Sequence, residues 1–301
     1  MAAPTVPRRE PIPDLLGARV SLGRRLRDGL ATLAMYLAML IAAFALGIVA
    51  VYLVTKGAKV VSWEFLTGDI PRNFRLPGGG MGPAIVGTLV ITAVASLIAI
   101  PLGVMGAIYL NEFGKQGVLA RLIRFMADVM TGIPSIVMGL FVYTIWVVRY
   151  KDQSGFAGAL ALGFLMLPIV IRSSEEVLKL VPDELRQASQ ALGARTWRTV
   201  VSVVLPRALS GITSGAMLAI ARAAGETAPL IFTIGIVFEP NASIFGNNTA
   251  LSAQIFRNAS QPFIGAQDRA WGAALTLVAI VFVFTLLSRL VAGRVTNLRM
   301  R

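Results

Sequence analysis

The sequence contains no cysteine and no histidine, and only 14% of its 301 residues are charged. The missing cysteine excludes disulfides and thiol nucleophiles, and the missing histidine excludes imidazole bases, serine triads and the usual zinc sites. The fraction of charged residues is also well below the roughly 25% of an ordinary soluble domain. We therefore expect no catalytic residue and no metal site in this chain.

Apolar residues make up 56% of the sequence and are gathered into long blocks. Each block is near or above the ~20 residues that a helix needs to cross a bilayer. Because a span in lipid must satisfy its backbone internally, these blocks predict an all-α, polytopic membrane bundle of about six transmembrane helices. The predicted spans are 29–54, 83–110, 126–148, 156–172, 208–237 and 271–292.

The fifth span contains Gly225, Glu226 and Pro229, so it is either one tilted helix or a helix that breaks and continues. Pro134 and Pro168 also interrupt spans, and a proline in a membrane helix is more often a packing kink than a moving gate.

The net charge of +13 would suit a nucleic-acid partner if the basic residues lay on one soluble face. Instead, most of them fall on one side of the membrane when both chain termini are cytoplasmic. This pattern predicts a multi-pass protein of a bacterial cytoplasmic membrane, in contact with lipid and without nucleic acid. The expected parts are a cytoplasmic segment 1–28, a transmembrane domain 29–292 and a cytoplasmic tail 293–301. The N-terminal basic residues are Arg8, Arg9, Arg19, Arg24, Arg25 and Arg27.

The longest cytoplasmic connection, 173–206, predicts a helix, a turn and a second helix. Pro182 and the acids after it are typical of a helix start, and Gly193 is typical of a stop. Arg186 and Gln190 are predicted on the side opposite the helix's narrow, mainly apolar face. That face comprises Leu185, Ala188, Ser189 and Leu192.

The same connection resembles the EAA motif of ABC importer permeases: Glu-Ala-Ala, three residues, Gly, nine residues, then Ile-x-Leu-Pro. Here the sequence reads Gln187-Ala188-Ser189, then Gly193, then Val203-Val204-Leu205-Pro206, with both spacings kept. Gln187 and Ser189 depart from the first and third letters. The resemblance implies a coupling helix seated in a groove of a separate ATPase. The implied coupling residues are Gln187, Ala188, Ser189, Gly193, Leu205 and Pro206. The alternative is an amphipathic helix lying on the membrane surface.

Arg222 and Glu226 lie four residues apart in the fifth span, on one face if the helix continues. Ionisable groups at membrane depth cost at least ~2.5 kcal/mol each, so they usually face a cavity or a partner. A guanidinium is always charged and offers paired donors, which suits an oxyanion. The alternative is a self-contained Arg222–Glu226 ion pair that locks helix packing.

Three stretches resemble the PstA and PstC phosphate permeases, within a similarity covering roughly residues 80–240. They are Arg-x-x-Gly-Glu-Thr from Arg222, Tyr109-Leu110-Asn111-Glu112, and Thr131-Gly132-Ile133-Pro134-Ser135-Ile136-Val137. The short N-terminus, the single loop before the second span and the Gly-Glu-Thr run favour PstA. The resemblance implies a transmembrane permease subunit, not an enzyme, that forms half of a phosphate pathway. It also implies that Arg222, Glu226 and Thr227 lie along that pathway.

The resemblance further implies three partners: a PstC-like second permease, a PstB-like ATPase dimer and a PstS-like extracytoplasmic phosphate-binding protein. No ATP-binding loop is present in this sequence, so ATP and Mg would be used by the ATPase, and this chain would bind no cofactor.

A permease for molybdate or sulfate is an alternative of the same class. A nucleotide-independent channel or membrane scaffold is the alternative of a different class. The polar stretch 238–270 is expected to face a partner or solvent.

Overall fold

The computed structural model describes residues 22–114 and 116–297, with side chains up to residue 286. Most of the predicted N-terminal segment, with Arg8, Arg9 and Arg19, lies outside the described residues, as does the end of the tail. The chain divides into two units at Tyr52 and Leu53, within the first helix, and each unit is considered by itself. Residues 22–52 of the first unit are entirely helical.

The described residues form helices and no strands, which confirms the all-α prediction. Five helices are long and apolar enough to cross a membrane, or six if one bent pair is counted as a span. Three helices continue into or contain π-helical segments, Tyr109–Gly114, Tyr143–Val147 and Val200–Val204. The helices are α1 (Leu22–Gly57), α2 (Trp63–Thr67), α3 (Gly82–Ile108), α4 (Val118–Gly132), α5 (Ser135–Val142), α6 (Val148–Tyr150), α7 (Gly155–Lys179), α8 (Asp183–Ala191), α9 (Thr196–Thr199), α10 (Leu205–Gly225), α11 (Ala228–Thr233), α12 (Leu251–Ala259) and α13 (Ile264–Asn297).

The third predicted span, 126–148, is not one straight helix. The helical segments before and after Pro134 meet at 106°. Proline lacks the N–H that would continue the helix, and it disfavours helical geometry in the residue before it. Ile133 accordingly has an extended conformation, with φ −73° and ψ 129°. By contrast, α7 continues through Pro168 and reaches Lys179, beyond the predicted end at 172.

The fifth predicted span breaks, as one of the two sequence interpretations anticipated. Helix α10 ends at Gly225, and α11 begins at Ala228 with Pro229 in its first turn. Proline is tolerated there because the first N–H groups of a helix have no intrahelical partner. The chain between α11 and α12 is not helical.

Helices α3, α7 and α10 pack together in the centre of the second unit. Alanines dominate their contact, and small side chains allow membrane helices to approach closely. The largest buried cluster includes Ile91, Ala95, Ala99, Ala159, Leu162, Met166, Val170, Ala219 and Ala223.

Helix α12 lies within 238–270, which the sequence predicted only as a polar loop. One side of the helix is buried, and its buried polar groups are paired except for Nη1 of Arg257, which has no hydrogen-bond partner among the described residues. The Leu251 N–H donates to Thr88 Oγ1 at 2.8 Å, and Asn258 Nδ2 donates to the carbonyl of Gln254 at 2.9 Å. Buried polar groups require such partners. The first contact therefore holds α12 against α3, and the second stabilises a turn of α12 itself.

A buried carboxylate organises the contact between α4 and α7. Glu175, with 1% of its side chain exposed, contacts Arg124 Nε at 2.8 Å, Lys179 Nζ at 2.9 Å and Arg172 Nη1 at 3.3 Å. Arg172 also pairs with Asp128 of α4. Charges shielded from water need this kind of pairing, so the cluster holds α4 against α7.

Candidate functional site

A cavity of about 190 Å³ lies where the two broken spans and α7 meet. The α4–α5 break and α7 supply its apolar walls, and the end of α10 supplies its charges. Its lining residues are Met130, Thr131, Ile133, Pro134, Ser135, Leu165, Pro168, Ile169, Arg222 and Glu226. Irregular backbone at membrane depth is tolerated where it lines such a cavity.

Arg222 and Glu226 form an ion pair across the end of α10, with Nε 3.6 Å from Oε1. The Arg222 side chain is 65% exposed, whereas that of Glu226 is 20% exposed. The separation is too long for a hydrogen bond. The pair therefore leaves guanidinium donors of Arg222 able to bind an anion entering the cavity.

The backbone at Glu226 is held by two hydrogen bonds. Its N–H donates to the carbonyl of Ala223 at 3.1 Å, and its carbonyl accepts from Ser252 Oγ at 2.8 Å. The second bond joins the break to α12. Because Glu226 no longer belongs to a regular helix, these contacts hold its backbone in place.

The structure brings together two of the three predicted pathway residues. Arg222 and Glu226 line the cavity, but Thr227 is not among the lining residues. The Thr227 carbonyl instead accepts from the N–H groups of Leu230 and Ile231, both at 3.2 Å, and so begins α11.

Several cavity residues were not predicted as site residues. Thr131 and Ser135 belong to a stretch noted only for its resemblance to phosphate permeases, and Pro168 was interpreted as a kink. The Thr131 hydroxyl donates to the Ala127 carbonyl at 2.8 Å, within its own helix. A signal was present in the sequence, since a Thr and a Ser flank the helix-breaking Pro134.

Helix α8 and its end match the predicted start and stop. It begins after Pro182, with Asp183 in its first turn, and Gly193 has φ +83°. The Gly193 N–H donates to the Gln190 carbonyl at 2.9 Å, and the Ala194 N–H to the Ser189 carbonyl at 3.2 Å. These two bonds form a Schellman motif, which satisfies the last carbonyls of the helix.

The predicted coupling residues separate into three groups. Gln187, Ala188 and Gly193 are exposed, and next to them Leu192 is 90% exposed. The Ser189 hydroxyl instead lies 2.9 Å from Thr199 Oγ1 of α9. The remaining two, Leu205 and Pro206, begin α10.

Arg186 was predicted on the side of α8 opposite the mainly apolar face, and its side chain there is only 15% exposed and pairs with Glu112. Hydrogen bonding to the Glu112 carboxylate raises the pKa of Arg186 above its ordinary value. Across 22–114 and 116–297 no three carboxylates, histidines or cysteines are grouped as a metal site would require.

Comparison with known proteins gives consistent matches. Residues 99–297 match the family described as binding-protein-dependent transport system inner membrane component. The phosphate transport system permease protein PstA 1 of Mycobacterium tuberculosis H37Rv is 39% identical over 297 residues, covering 96% of this chain and 95% of the relative. The PstA protein of Yersinia pestis is 42% identical over 241 residues, covering 80% and 81%.

Two solved ABC transporters share the fold. A chain of the inward-facing MetNI methionine transporter aligns with a TM-score of 0.57 and 20% identity, covering 77% of this chain and 96% of that chain. A chain of a bacterial importer of the acidic polysaccharide alginate aligns with a TM-score of 0.61 and 14% identity, covering 91% and 99%.

Proposed function

Because this chain belongs to the binding-protein-dependent transport permeases, and within them to the PstA phosphate permeases, we propose that it carries phosphate across the membrane. It is a membrane subunit of an ABC importer, and ATP is hydrolysed by a separate subunit. In our proposal the chain forms half of the translocation pathway in a bacterial cytoplasmic membrane, with both termini in the cytoplasm.

The cavity holding Arg222 and Glu226 carries the proposal. Phosphate is a compact oxyanion, and a guanidinium binds such anions with charge-assisted hydrogen bonds. Glu226 balances the charge of Arg222 when no anion is present, which lowers the cost of an arginine at membrane depth. An entering anion would compete with Glu226 for the guanidinium, so the site would hold phosphate transiently, as transport requires.

The partners are also part of the proposal. A PstC-like permease would supply the other half of the pathway, and a PstS-like protein would deliver phosphate. A pair of PstB-like subunits would bind ATP and Mg and receive α8 in a groove. Gln187, Ala188 and Leu192 are exposed on α8 and are therefore accessible to such a partner.

ATP-driven uptake of labelled phosphate by the reconstituted complex tests this function. Arg222→Ala should lower uptake about 10- to 100-fold, because a hydrogen bond to a charged group contributes ~1.5–3 kcal/mol. Arg149→Ala is the matched control, since Arg149 is exposed and does not line the cavity. Its uptake should equal that of the unaltered complex.

Three results would contradict parts of the proposal. Normal uptake by Arg222→Ala would remove Arg222 from the pathway, and a parallel loss of assembled complex would indicate an ion pair that locks packing. Uptake of labelled sulfate or molybdate in place of phosphate would indicate the other oxyanion permease. Flux that does not require ATP would indicate a channel.

A further inference from the structure

The guanidinium of Arg186 joins α8 to the ends of two long helices. Its Nε lies 3.2 Å from both carboxylate oxygens of Glu112, and its Nη2 lies 2.8 Å from Oε1. Glu112 belongs to the π-helical segment that continues α3. The guanidinium also donates to the Leu178 carbonyl of α7 at 3.0 Å and to the Val181 carbonyl at 2.6 Å. One side chain therefore connects α8, the end of α3 and the end of α7.

This connection is largely shielded from water, because only 6% of the Glu112 side chain is exposed. The planar guanidinium binds a carboxylate through two parallel donors, which fixes direction as well as distance. Removing one member of a shielded pair leaves an uncompensated charge. Leu185, the preceding residue, packs with Leu178 and Val181 beside the pair. A displacement of α8 must therefore move the ends of α3 and α7 or break these contacts.

Helix α7 continues from this connection to the cavity. It packs along α3 through the central cluster, which includes Ala95 and Met166. It also contributes Leu165, Pro168 and Ile169 to the lining of the Arg222 cavity. A shift at the end of α7 would therefore change one wall of that cavity, because packed helices transmit displacement with little compression.

Two other side chains of α8 also contact the long helices. Leu185 packs against a cluster that includes Ala107 of α3 and Ala208 of α10, and Ser189 contacts Thr199, which lies in the continuous candidate span Thr196–Gly225. Asp183 pairs with Arg186 inside the same helix, at 3.0 Å, and is 82% exposed. Of the ion pairs that α8 makes within 22–114 and 116–297, only that with Glu112 joins it to another element.

We propose that Arg186 is a positioning residue that transmits the movement of α8 to the substrate cavity, through Glu112 and the ends of α3 and α7. This rests on the proposed function, in which α8 docks on the ATPase. Arg186 does not touch the substrate. Its role is to prevent α8 from moving alone, so that each ATP-driven movement of α8 alters the cavity.

Measuring solute uptake and ATP hydrolysis in the same vesicles tests this role. In the reconstituted complex with its binding protein, we expect Glu112→Gln and Arg186→Gln to keep ATP hydrolysis. The phosphate carried per ATP should fall about fivefold or more, the low end of measured couplings between sites. Lys179→Gln is the matched control, because it breaks an ion pair within α7 near the same end of that helix. The phosphate carried per ATP by Lys179→Gln should be unchanged.

Covalent rescue gives a second measurement. Because the sequence has no cysteine, Glu112→Cys with Arg186→Cys can be linked by a short bis-methanethiosulfonate reagent in a complex with cysteine-free partners. We expect the unlinked double variant to carry little phosphate per ATP and the linked one to recover most of the ratio.

Two results would overturn the role of Arg186. In the first, uptake by the glutamine variants falls only as far as the amount of assembled complex falls, and the phosphate carried per ATP is unchanged. In the second, the phosphate carried per ATP stays low in the linked cysteine variant. Failure of the proposed function would be seen differently, as no ATP-driven phosphate uptake by the unaltered complex. The ratio measured with the solute that the complex does carry would still test Arg186.

Discussion

Gly139 lies directly against the backbone of Pro229, so that a Cβ at residue 139 would be 2.4 Å from the proline Cα and 3.0 Å from its carbonyl oxygen. The contact joins α5 to α11, the short helices that follow the two breaks. No side chain fits between them. The contact therefore holds α5 and α11 close together, beside the breaks at Pro134 and Glu226.

Gly139→Ala should destabilise the permease by about 1–3 kcal/mol, the usual cost of overpacking against a rigid neighbour. It should also lower phosphate uptake per assembled complex, because α5 and α11 must separate. Thermal unfolding of the purified complex and vesicle uptake measure the two effects. Gly132→Ala is the control, since its Cβ would meet no atom within 4 Å. Equal stability of the two variants would contradict the close contact.

Arg269, in α13, forms hydrogen bonds with the loop that precedes α3. The side chain is buried, and it donates to the carbonyls of Leu76 at 2.6 Å, Gly78 at 2.9 Å and Phe74 at 3.1 Å. Its Nε also lies 3.3 Å from Asn258 Oδ1 of α12. Carbonyl oxygens thus stabilise the buried guanidinium, and their hydrogen bonds hold the loop in place.

Arg269→Gln should release this loop, since glutamine cannot reach the three carbonyls together. Trypsin cleaves after arginine, and Arg72 and Arg75 lie in the same loop. We expect cleavage there to be at least about tenfold faster, because proteolysis follows the population of locally opened protein. Arg149→Gln, at an exposed arginine outside this network, should not change the rate. An unaltered cleavage rate in Arg269→Gln would show that other contacts hold the loop.

The membrane spans and the main charges of the site could be predicted from sequence because they depend on local composition. Apolar blocks predicted the bundle, and the Gly225–Pro229 region signalled a possible break. Arg222 and Glu226 were predicted to share one face if the helix continued, with an ion pair between them as the alternative to a pathway role. They pair at 3.6 Å although the helix ends at Gly225. Four residues of separation bring these long side chains together in either case.

The remaining features depend on contacts between distant segments, which no local pattern contains. The 106° bend at Pro134 was predicted only as a kink, because its size depends on how α5 packs against α11. Helix α12 is short, and its buried side is polar, so it lacks the apolar periodicity of a span. The burial of Arg186 and Arg269 likewise requires partners far along the chain.

Gly193→Ala should weaken the end of α8. The φ of +83° at this position favours glycine, and other residues lose roughly 1–2 kcal/mol in the left-handed region. We expect a lower unfolding temperature and less phosphate carried per ATP. Gly193→Pro should be more severe, because proline cannot adopt this φ and lacks the N–H that bonds to Gln190.

Gly47→Ala is a control for Gly193→Ala, because we expect it to have the opposite effect on stability. Gly47 lies inside α1, and a Cβ there would meet nothing within 4 Å. Alanine should therefore leave stability unchanged or raise it slightly, since glycine is the poorer helix former. A Gly193→Ala variant as stable as Gly47→Ala would argue against the left-handed end of α8.

Ser252→Ala should disturb the site without touching its charges. The Ser252 hydroxyl donates to the Glu226 carbonyl at 2.8 Å, and losing this bond to a partly buried carbonyl should cost about 1 kcal/mol. Glu226 would then shift relative to Arg222, and uptake at low phosphate should fall about fivefold, equivalent to ~1 kcal/mol. Ser214→Ala is the matched control, because that exposed hydroxyl bonds only to the Ser210 carbonyl of its own helix. Equal uptake by both serine variants would mean that α12 does not position Glu226.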